Sequence, residues 1–591
     1  MRIRTIKSPW TKNISENQLL LVLAFLTGLG SGISAVILKS LINFISKVLG
    51  MLSRLNGEIP WFLILPGVGI LISLILVRFL IKDDISHGVT KVLYAISKKE
   101  SRISSHNTFT SLLTSSITIG FGGSVGAEAP IVYTGAAIGS NIGRKMGLSY
   151  RNMTILLGCG AAGAVAGIFK APMAGILFTL EILLFNISAK SILPLLTSSV
   201  TAAAVSYLFL GNDVSFSSTT DNFLMGNVPY YILLGLFCGF VSLYFIRMTM
   251  FLEDKIHSIR NVLVRWLLCS TALGVLLYFF PPLYGEGYDS LSQLLNGNPS
   301  GVSDGIRLAG LTEDSMNNSW MVLLFFFLVM IFKVFSMSFT NAGGGVGGTF
   351  GPTLIVGGLA GFVVAESINL TGIHTLPQAN FVLVGMAGLM AGVMAAPMTA
   401  IFLIAEITGG YGLLMPLIIT SLVSYAIIRI FEPYSIYSKR LAKRGELLTH
   451  DSDSAVLTLL QTSSLIEKDF ITLEMEDSLG EMVKAVEHSK RNLFPVVDAK
   501  GVFQGYISLD DIRQIMFDTS KYQSLFAYNL MRMSPDYILE DEKMESVMEK
   551  FERTGAWNLP VLDRQKHYLG FVSKSKIFSS YRSRLREMSQ E

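Results

Sequence analysis

Two apolar stretches rich in glycine and alanine, GAAGAVAGIFKAPMAGILFTLEI at 160–182 and GMAGLMAGVMAAPMTAIFLIAEI at 385–407, align without a gap. At a constant offset of 225, Gly160, Gly163, Ala166, Gly167, Ala171, Pro172, Met173, Glu181 and Ile182 recur at Gly385, Gly388, Ala391, Gly392, Ala396, Pro397, Met398, Glu406 and Ile407. A second pair precedes them: GGSVGAEAP at 122–130 aligns with GGVGGTFGP at 344–352, at an offset of 222. Gly126, Glu128 and Pro130 then stand opposite Gly348, Phe350 and Pro352. A chain that repeats in this way is built from two homologous halves. Each half carries a G-x-[E/F]-x-P turn ahead of a small-residue helix.

The halves are solvated by something other than water. Of 591 residues, 51% are hydrophobic and 15% charged, where soluble domains carry about 25% charged residues. Apolar runs recur at 17–37, 61–82, 152–186, 190–210, 229–252, 262–284, 319–340, 352–366, 378–407 and 412–430. Their lengths predict roughly ten to twelve helices that span or half-span a bilayer. After about residue 440 charges become dense, as in a soluble cytoplasmic module. The start, MRIRTIKSPWTKN, is basic and lacks the apolar core of a signal peptide, so it reads as a cytoplasmic tail. The basic KRLAKRGE segment places the other end of the membrane part on the same side, which puts both termini inside an inner or plasma membrane. The expected domains are a tail at 1–16, a membrane domain at 17–440 with halves near 17–215 and 225–440, a linker at 441–465, and modules at 466–525 and 526–591. Cys159, Cys238 and Cys269 lie in apolar runs without CxxC spacing and read as small buried residues, not as a disulfide or zinc framework. The net charge of +4 comes without a basic, aromatic-interleaved patch, which speaks against nucleic acid.

Gly/Pro interruptions at matching positions of two apolar halves point to the substrate site of a transport fold. A broken helix leaves unpaired N–H groups at its positive N-terminus, and glycines let that backbone approach an anion closely. Small residues also serve close helix packing, the better account of Gly and Ala at 160–167 and 385–392. Packing explains neither the proline nor the carboxylate of the turns. Gly122-Gly123-Ser124-Val125-Gly126 also fits the G-x-S-x-G elbow of serine hydrolases. That elbow needs a soluble α/β frame, and the second half has Val346 in place of Ser124, so the turn does not depend on a hydroxyl. Glu128 is the residue with chemistry. A carboxylate in a membrane helix is costly and faces a cavity or a partner; at a helix N-terminus it fills the place of an external anion until protonated or displaced.

GAEAP at 126–130, GTFGP at 348–352, SIYSKRLAKRG at 435–445 and ISHGVT at 85–90 follow in order the motifs of the CLC family of chloride channels and anion/proton antiporters, which this chain resembles over nearly its whole length. The resemblance implies a polytopic α-helical membrane protein with two inverted-topology repeats and broken helices, dimeric, with a pore in each subunit. It implies that Glu128 is the gating, proton-linked glutamate. It implies an anion site built from His87, Gly88, Gly126, Gly348, Thr349, Phe350 and Tyr437. Ala129 replaces the second glycine of the G-x-E-G-P motif, His87 stands where a serine is usual, and Thr90 replaces a proline. Either the imidazole hydrogen-bonds in the anion path, or only the backbone at 86–89 matters. Ile182 occupies the position where proton-coupled members often carry an internal glutamate, and Glu181 reads as structural at a helix end. A passive, voltage- or pH-gated chloride channel is therefore the favoured expectation, with H+/Cl− exchange as the alternative.

The tail repeats as well. NLFPVVDAKGVFQGYIS at 492–508 and NLPVLDRQKHYLGFVS at 558–573 align at an offset of 65, bringing Pro495, Asp498, Gly505 and Ser508 onto Pro560, Asp563, Gly570 and Ser573. This resembles a tandem of CBS domains, a cytoplasmic α/β pair. In nucleotide-binding members a G-h-h-[S/T]-x-x-D turn holds phosphate and ribose. The first copy has that turn as Gly505, Ser508 and Asp511; the second has Lys576 in place of the Asp. An adenine nucleotide is the candidate ligand, a dimer scaffold without ligand is the alternative, and no cofactor is required. A nucleotide sensor on a membrane anchor and an intramembrane serine hydrolase are the remaining readings.

Overall fold

The computed structural model describes residues 15–55, 61–183, 189–211, 221–296, 319–443, 462–542 and 544–589. The expected tail at 1–16 and linker at 441–465 lie largely outside them. The chain divides into units spanning Met1–Leu447 and Leu448–Glu591.

The first half of the first unit runs through α1 (Glu16–Leu55), α2 (Trp61–Ile75), α3 (Gly88–Lys98), α4 (Thr110–Gly120), α5 (Glu128–Lys145), α6 (Tyr150–Phe169), α7 (Pro172–Phe178) and α8 (Ala189–Leu210). The second runs through α9 (Val228–His257), α10 (Val262–Phe279), α11 (Tyr288–Leu295), α12 (Ser319–Ala342), α13 (Phe350–Thr371), α14 (Gln378–Met394), α15 (Pro397–Ile407), α16 (Leu414–Phe431) and α17 (Ile436–Lys443). Pro172 and Pro397 each open their helix, where a missing N–H costs nothing. Packing repeats with the sequence: α6 touches α1, α5 and α8, and α14 touches α9, α13 and α16.

Glycine makes the central crossings possible. A Cβ on Gly160 of α6 would sit 1.9 Å from Gly135 O of α5, and one on Gly385 of α14 would sit 2.3 Å from Gly357 O of α13. Backbones meet backbones at both places, as small residues allow in membranes.

Among the described residues nine helices are long and apolar enough to cross a membrane, with shorter apolar helices at Pro172–Leu183, Gln378–Met394 and Pro397–Ile407. The runs at 152–186 and 378–407 each break into two helices at the A-P-M motif. Hydropathy alone missed α3, α4 and α5. These helices carry Ser, Thr, Asn and Gly on faces buried in protein, so they need not be apolar all round. The three cysteines are free and buried.

In the second unit each copy builds a three-stranded sheet: β1 (Leu473–Glu474), β2 (Leu493–Val497) and β3 (Phe503–Ser508), then β4 (Ile538–Leu539), β5 (Asn558–Leu562) and β6 (Tyr568–Ser573). In both, the first strand is parallel and the third antiparallel to the second, with a register shift at Val496/Val497 and again at Val561/Leu562.

Candidate functional site

The two G-x-[E/F]-x-P turns meet. Gly126 N donates to Gly348 O at 3.0 Å and Gly348 N donates to Gly126 O at 2.7 Å, an isolated antiparallel bridge between the halves. From this bridge α5 and α13 start at Glu128 and Phe350, so two helix N-termini converge at one buried point. Pro130 and Pro352 sit within the first turns, where their lost N–H groups were unpaired in any case.

Glu128 is 2% exposed. Its Oε2 accepts from Gly351 N at 3.2 Å in the first turn of the opposite half's α13, and its Oε1 accepts from Tyr288 Oη at 2.6 Å. A Cβ on Gly126 would lie 2.1 Å from Glu128 Oε2, so glycine there leaves room for the carboxylate. Glu128 thus lies where the positive ends of the broken helices favour negative charge. Beside it opens a cavity of about 580 Å³, lined among others by Lys39, Tyr284, Glu286, Tyr288 and Asp289.

The remaining positions that the motifs single out cluster nearby. Thr349 is the N-cap of α13, and its buried hydroxyl lies beside that of Tyr437 near the start of α17. Tyr437 Oη reaches Met394 Sδ at 3.9 Å, and Tyr437 O accepts from Thr90 Oγ1 at 3.4 Å, which brings the starts of α3 and α17 together. Phe350 packs its ring on Phe169 and Phe178, with centroids 5.3 and 6.2 Å apart.

His87 is the N-cap of α3 in the left-handed region, φ 52°, a rare conformation for a residue with a side chain. Its Nε2 lies 3.7 Å from Glu253 Oε1, and Arg440 binds both oxygens of Glu253 at 2.7 and 3.1 Å. The imidazole therefore lies beside the ion pair of Glu253 and Arg440. At Gly88, by contrast, the backbone packs so closely on α5 that a Cβ would meet Ala129 O at 2.3 Å.

Ser124 is fully buried. Its Oγ donates to Leu283 O at 2.7 Å and accepts from Lys333 Nζ at 2.8 Å. A serine–lysine contact could resemble a nucleophile and base, but Lys333 is also fully buried and donates to Gly285 O at 3.0 Å as well. No face of the pair is open to a substrate.

Glu181 lies outside the cavity beside Glu128. It accepts from Met398 N at 3.0 Å and Thr399 N at 2.8 Å, while Glu406 accepts from Met173 N at 3.0 Å and Ala174 N at 2.9 Å. Each repeat's glutamate caps the other repeat's A-P-M helix, satisfying orphan N–H groups.

Tyr288, Glu286, Lys39 and Lys333 were not singled out in the sequence. Lys333 carried a signal, since a lone cation within the 24-residue apolar helix Ser319–Ala342 marks a site or a partner. The connector PPLYGEGY at 281–288 gave only a weak one, polar groups crowded between glycines after an apolar run.

In the second unit, Ser508 and Asp511 form a capping box: Ser508 N and Oγ donate to Asp511 Oδ2 at 3.0 and 2.6 Å, and Arg532 binds the other oxygen. Burial raises the Asp511 pKa, but these hydrogen bonds and the Arg532 charge outweigh it and hold the carboxyl below its ordinary value.

A family profile described as Voltage gated chloride channel matches residues 68–429. The chain belongs to the voltage gated chloride channel family. The CBS domain profile matches 463–518 and 527–583, so this family member carries a C-terminal CBS pair. It is 27% identical over 458 residues to "Chloride channel protein CLC-e" of Arabidopsis thaliana, across 67% of this chain and 61% of that relative's length. It is 30% identical over 341 residues to the "H(+)/Cl(-) exchange transporter ClcA" of Vibrio cholerae, across 55% of this chain and 66% of the relative. The chain therefore spans less than two thirds of either relative. Its fold matches that of a slow cyanobacterial Cl−/H+ antiporter with a TM-score of 0.63 and 22% identity, over 73% of this chain and 99% of that one. A eukaryotic CLC transporter matches with a TM-score of 0.61 and 18% identity, over 95% of this chain and 99% of that one. The fold is that of CLC transporters, and the protein is a multi-pass membrane protein of this family.

Proposed function

We propose that this family member carries chloride and other small inorganic anions across a membrane, through a path in each subunit that passes Glu128. What supports this is the position of the Glu128 carboxylate on Gly351 N, where α5 and α13 converge. An anion in that place would meet the same backbone amide and the same helix ends. The buried carboxylate competes with it, and protonation of Glu128 weakens its hold and opens the path. Next along, the hydroxyls of Thr349 and Tyr437 and the edge of Phe350 offer donors and a weakly positive ring edge to a dehydrated anion, with the backbone at Gly348 behind them.

A passive channel is the first reading of how the flux is driven, supported by Ile182 and by the capping role of Glu181, which occupies the nearest carboxylate. Proton-coupled exchange is the second, favoured by a relative that is called an exchange transporter. We further propose two copies per assembly, both termini on the cytoplasmic side of an inner or plasma membrane, and an adenine nucleotide as the candidate ligand of the CBS pair near Ser508 and Asp511.

The test is a joint record of chloride efflux and pH change from liposomes under a chloride gradient, for wild type and Glu128→Ala. Chloride flux without proton movement in either protein is the channel outcome. Proton uptake in fixed ratio to chloride, lost in Glu128→Ala, is the exchanger outcome. No chloride flux from correctly folded wild-type protein would sink both.

A further inference from the structure

The connector at 281–287 lies over the turn that starts α5. It is pinned on both sides of Glu286. Before it, Gly285 N donates to Gly122 O at 3.0 Å, and Lys333 Nζ donates to Gly285 O at 3.0 Å and to Ser124 Oγ at 2.8 Å. After it, Tyr288 holds Glu128 at 2.6 Å. Fixed in this way, Glu286 Oε1 accepts from Ala127 N at 3.1 Å. Ala127 is the N-cap of α5. Glu128, the first residue of α5, has meanwhile crossed to Gly351 N on α13. Each of the two broken helices therefore has a carboxylate on its N-terminal amides, and the two carboxylates come from different segments. The cavity of about 580 Å³ is lined by both.

We propose that Glu286 is a second gating carboxylate, in series with Glu128 on the cavity side, holding the α5 amide that an arriving anion has to take. This rests on the anion-transport reading above. Moving Glu128 alone frees only Gly351 N. Ala127 N stays occupied, and a second negative charge still faces the anion at short range in a water-poor site. The path clears when Glu286 is protonated or swings into the cavity.

The groups around Glu286 set the sign of its response to pH. Lys39 on α1 and Lys333 on α12 favour its charged form; Glu128 on α5 opposes it; Tyr288 and Asp289 on α11 and Tyr284 on the connector line the same cavity. Burial, and then the Glu128 charge, raise the Glu286 pKa above the ordinary carboxylate value. Acidification therefore neutralises Glu286 while most surface carboxylates are still charged, and flux rises.

The experiment is chloride efflux from liposomes at about pH 9, above the value of about 8 to which Glu286 is raised, and at about pH 5, with wild type, Glu128→Ala, Glu286→Gln, the double variant, and Glu128→Ala combined with Glu286→Asp. Gln keeps an acceptor for Ala127 N and cannot titrate. Glu128→Ala should still gain roughly threefold or more in flux on acidification, from the carboxylate that remains. Glu128→Ala with Glu286→Gln should be flat, and with Glu286→Asp should regain the slope. Flux from Glu128→Ala that is already flat, or a slope that survives Glu286→Gln, overturns the role of Glu286 while leaving anion transport standing. A wild-type protein that passes no chloride overturns the transport reading, and this one with it.

Discussion

At Glu128 the shorter of two hydrogen bonds to the carboxylate comes from a side chain that can be removed. Tyr288 Oη donates to the carboxylate at 2.6 Å, and a hydrogen bond to a charged group contributes about 1.5–3 kcal/mol. Tyr288→Phe removes it with little change in volume. Chloride efflux at neutral pH should then rise on the order of tenfold, since each 1.36 kcal/mol is a factor of about ten. An unchanged rate would mean that Tyr288 does not restrain Glu128. His87 shows the opposite situation. Its ring packs beside the ion pair of Glu253 and Arg440, while its backbone fixes the start of α3. His87→Asn tolerates the left-handed conformation, so it should keep the fold and most of the chloride flux; a collapse of flux in well-folded His87→Asn protein would return the imidazole to the anion path.

Helices are placed by contacts that admit no extra atoms. Gly160 lies so close to α5 that an added Cβ would meet Gly135 O at 1.9 Å. Gly160→Ala must push α5 and α6 apart and should destabilise by about 1–3 kcal/mol, as overpacked cores do; the melting temperature in detergent reads it. The reciprocal caps make a second expectation. Glu181→Ala strips the acceptors from Met398 N and Thr399 N, and Glu406→Ala strips those from Met173 N and Ala174 N. Each should cost about 0.5–2 kcal/mol, as the loss of a helix cap does. Chloride transport per folded protein should survive in both, because neither carboxylate lines the cavity beside Glu128. Loss of flux without loss of stability in Glu181→Ala would give that residue a transport role.

The two units answer acid in opposite ways. In the membrane unit, the proposed gating has protons remove carboxylate charge from the helix ends and ease anion passage. In the CBS unit the depressed pKa of Asp511 carries the reverse sign. A folded-state value below the unfolded one stabilises at pH above the unfolded value of about 3.9, and the contribution is lost as pH falls through the folded value. Glu542 follows the same rule: burial raises its pKa, but hydrogen bonds from Ser546, Lys550 and Leu539 N more than offset this and lower it. Calorimetry on the full chain should show the CBS transition steady between about pH 6 and 8 and falling below about pH 4. In Asp511→Asn protein that acid-induced fall should be smaller. An identical fall in the variant would remove Asp511 from the account.

The two halves, the paired turns, the helix breaks at A-P-M and the repeated tail modules could all be read from the chain, because each depends on residues close together in sequence. A proline at the first turn, glycines ahead of it and a carboxylate at the N-terminus make a helix start of a particular kind wherever they occur. The expectation that the long apolar runs cross a bilayer had the same local basis. The helices α3 and α4 escaped notice because their neighbours are protein and not lipid, so hydrophobicity was no guide to their burial; α5 was marked by its turn alone. The partners of Glu128 escaped as well: Gly351 comes from the other half, and Tyr288 from the start of α11, 160 residues away. So did Glu286 on Ala127 N and Lys333 beneath the connector. Those pairings exist because glycine at 126 lets two backbones bridge at hydrogen-bonding distance, which sets the docking of the halves and with it which carboxylate reaches which helix end. Local chemistry specifies the pieces; close packing between segments far apart in sequence chooses their partners.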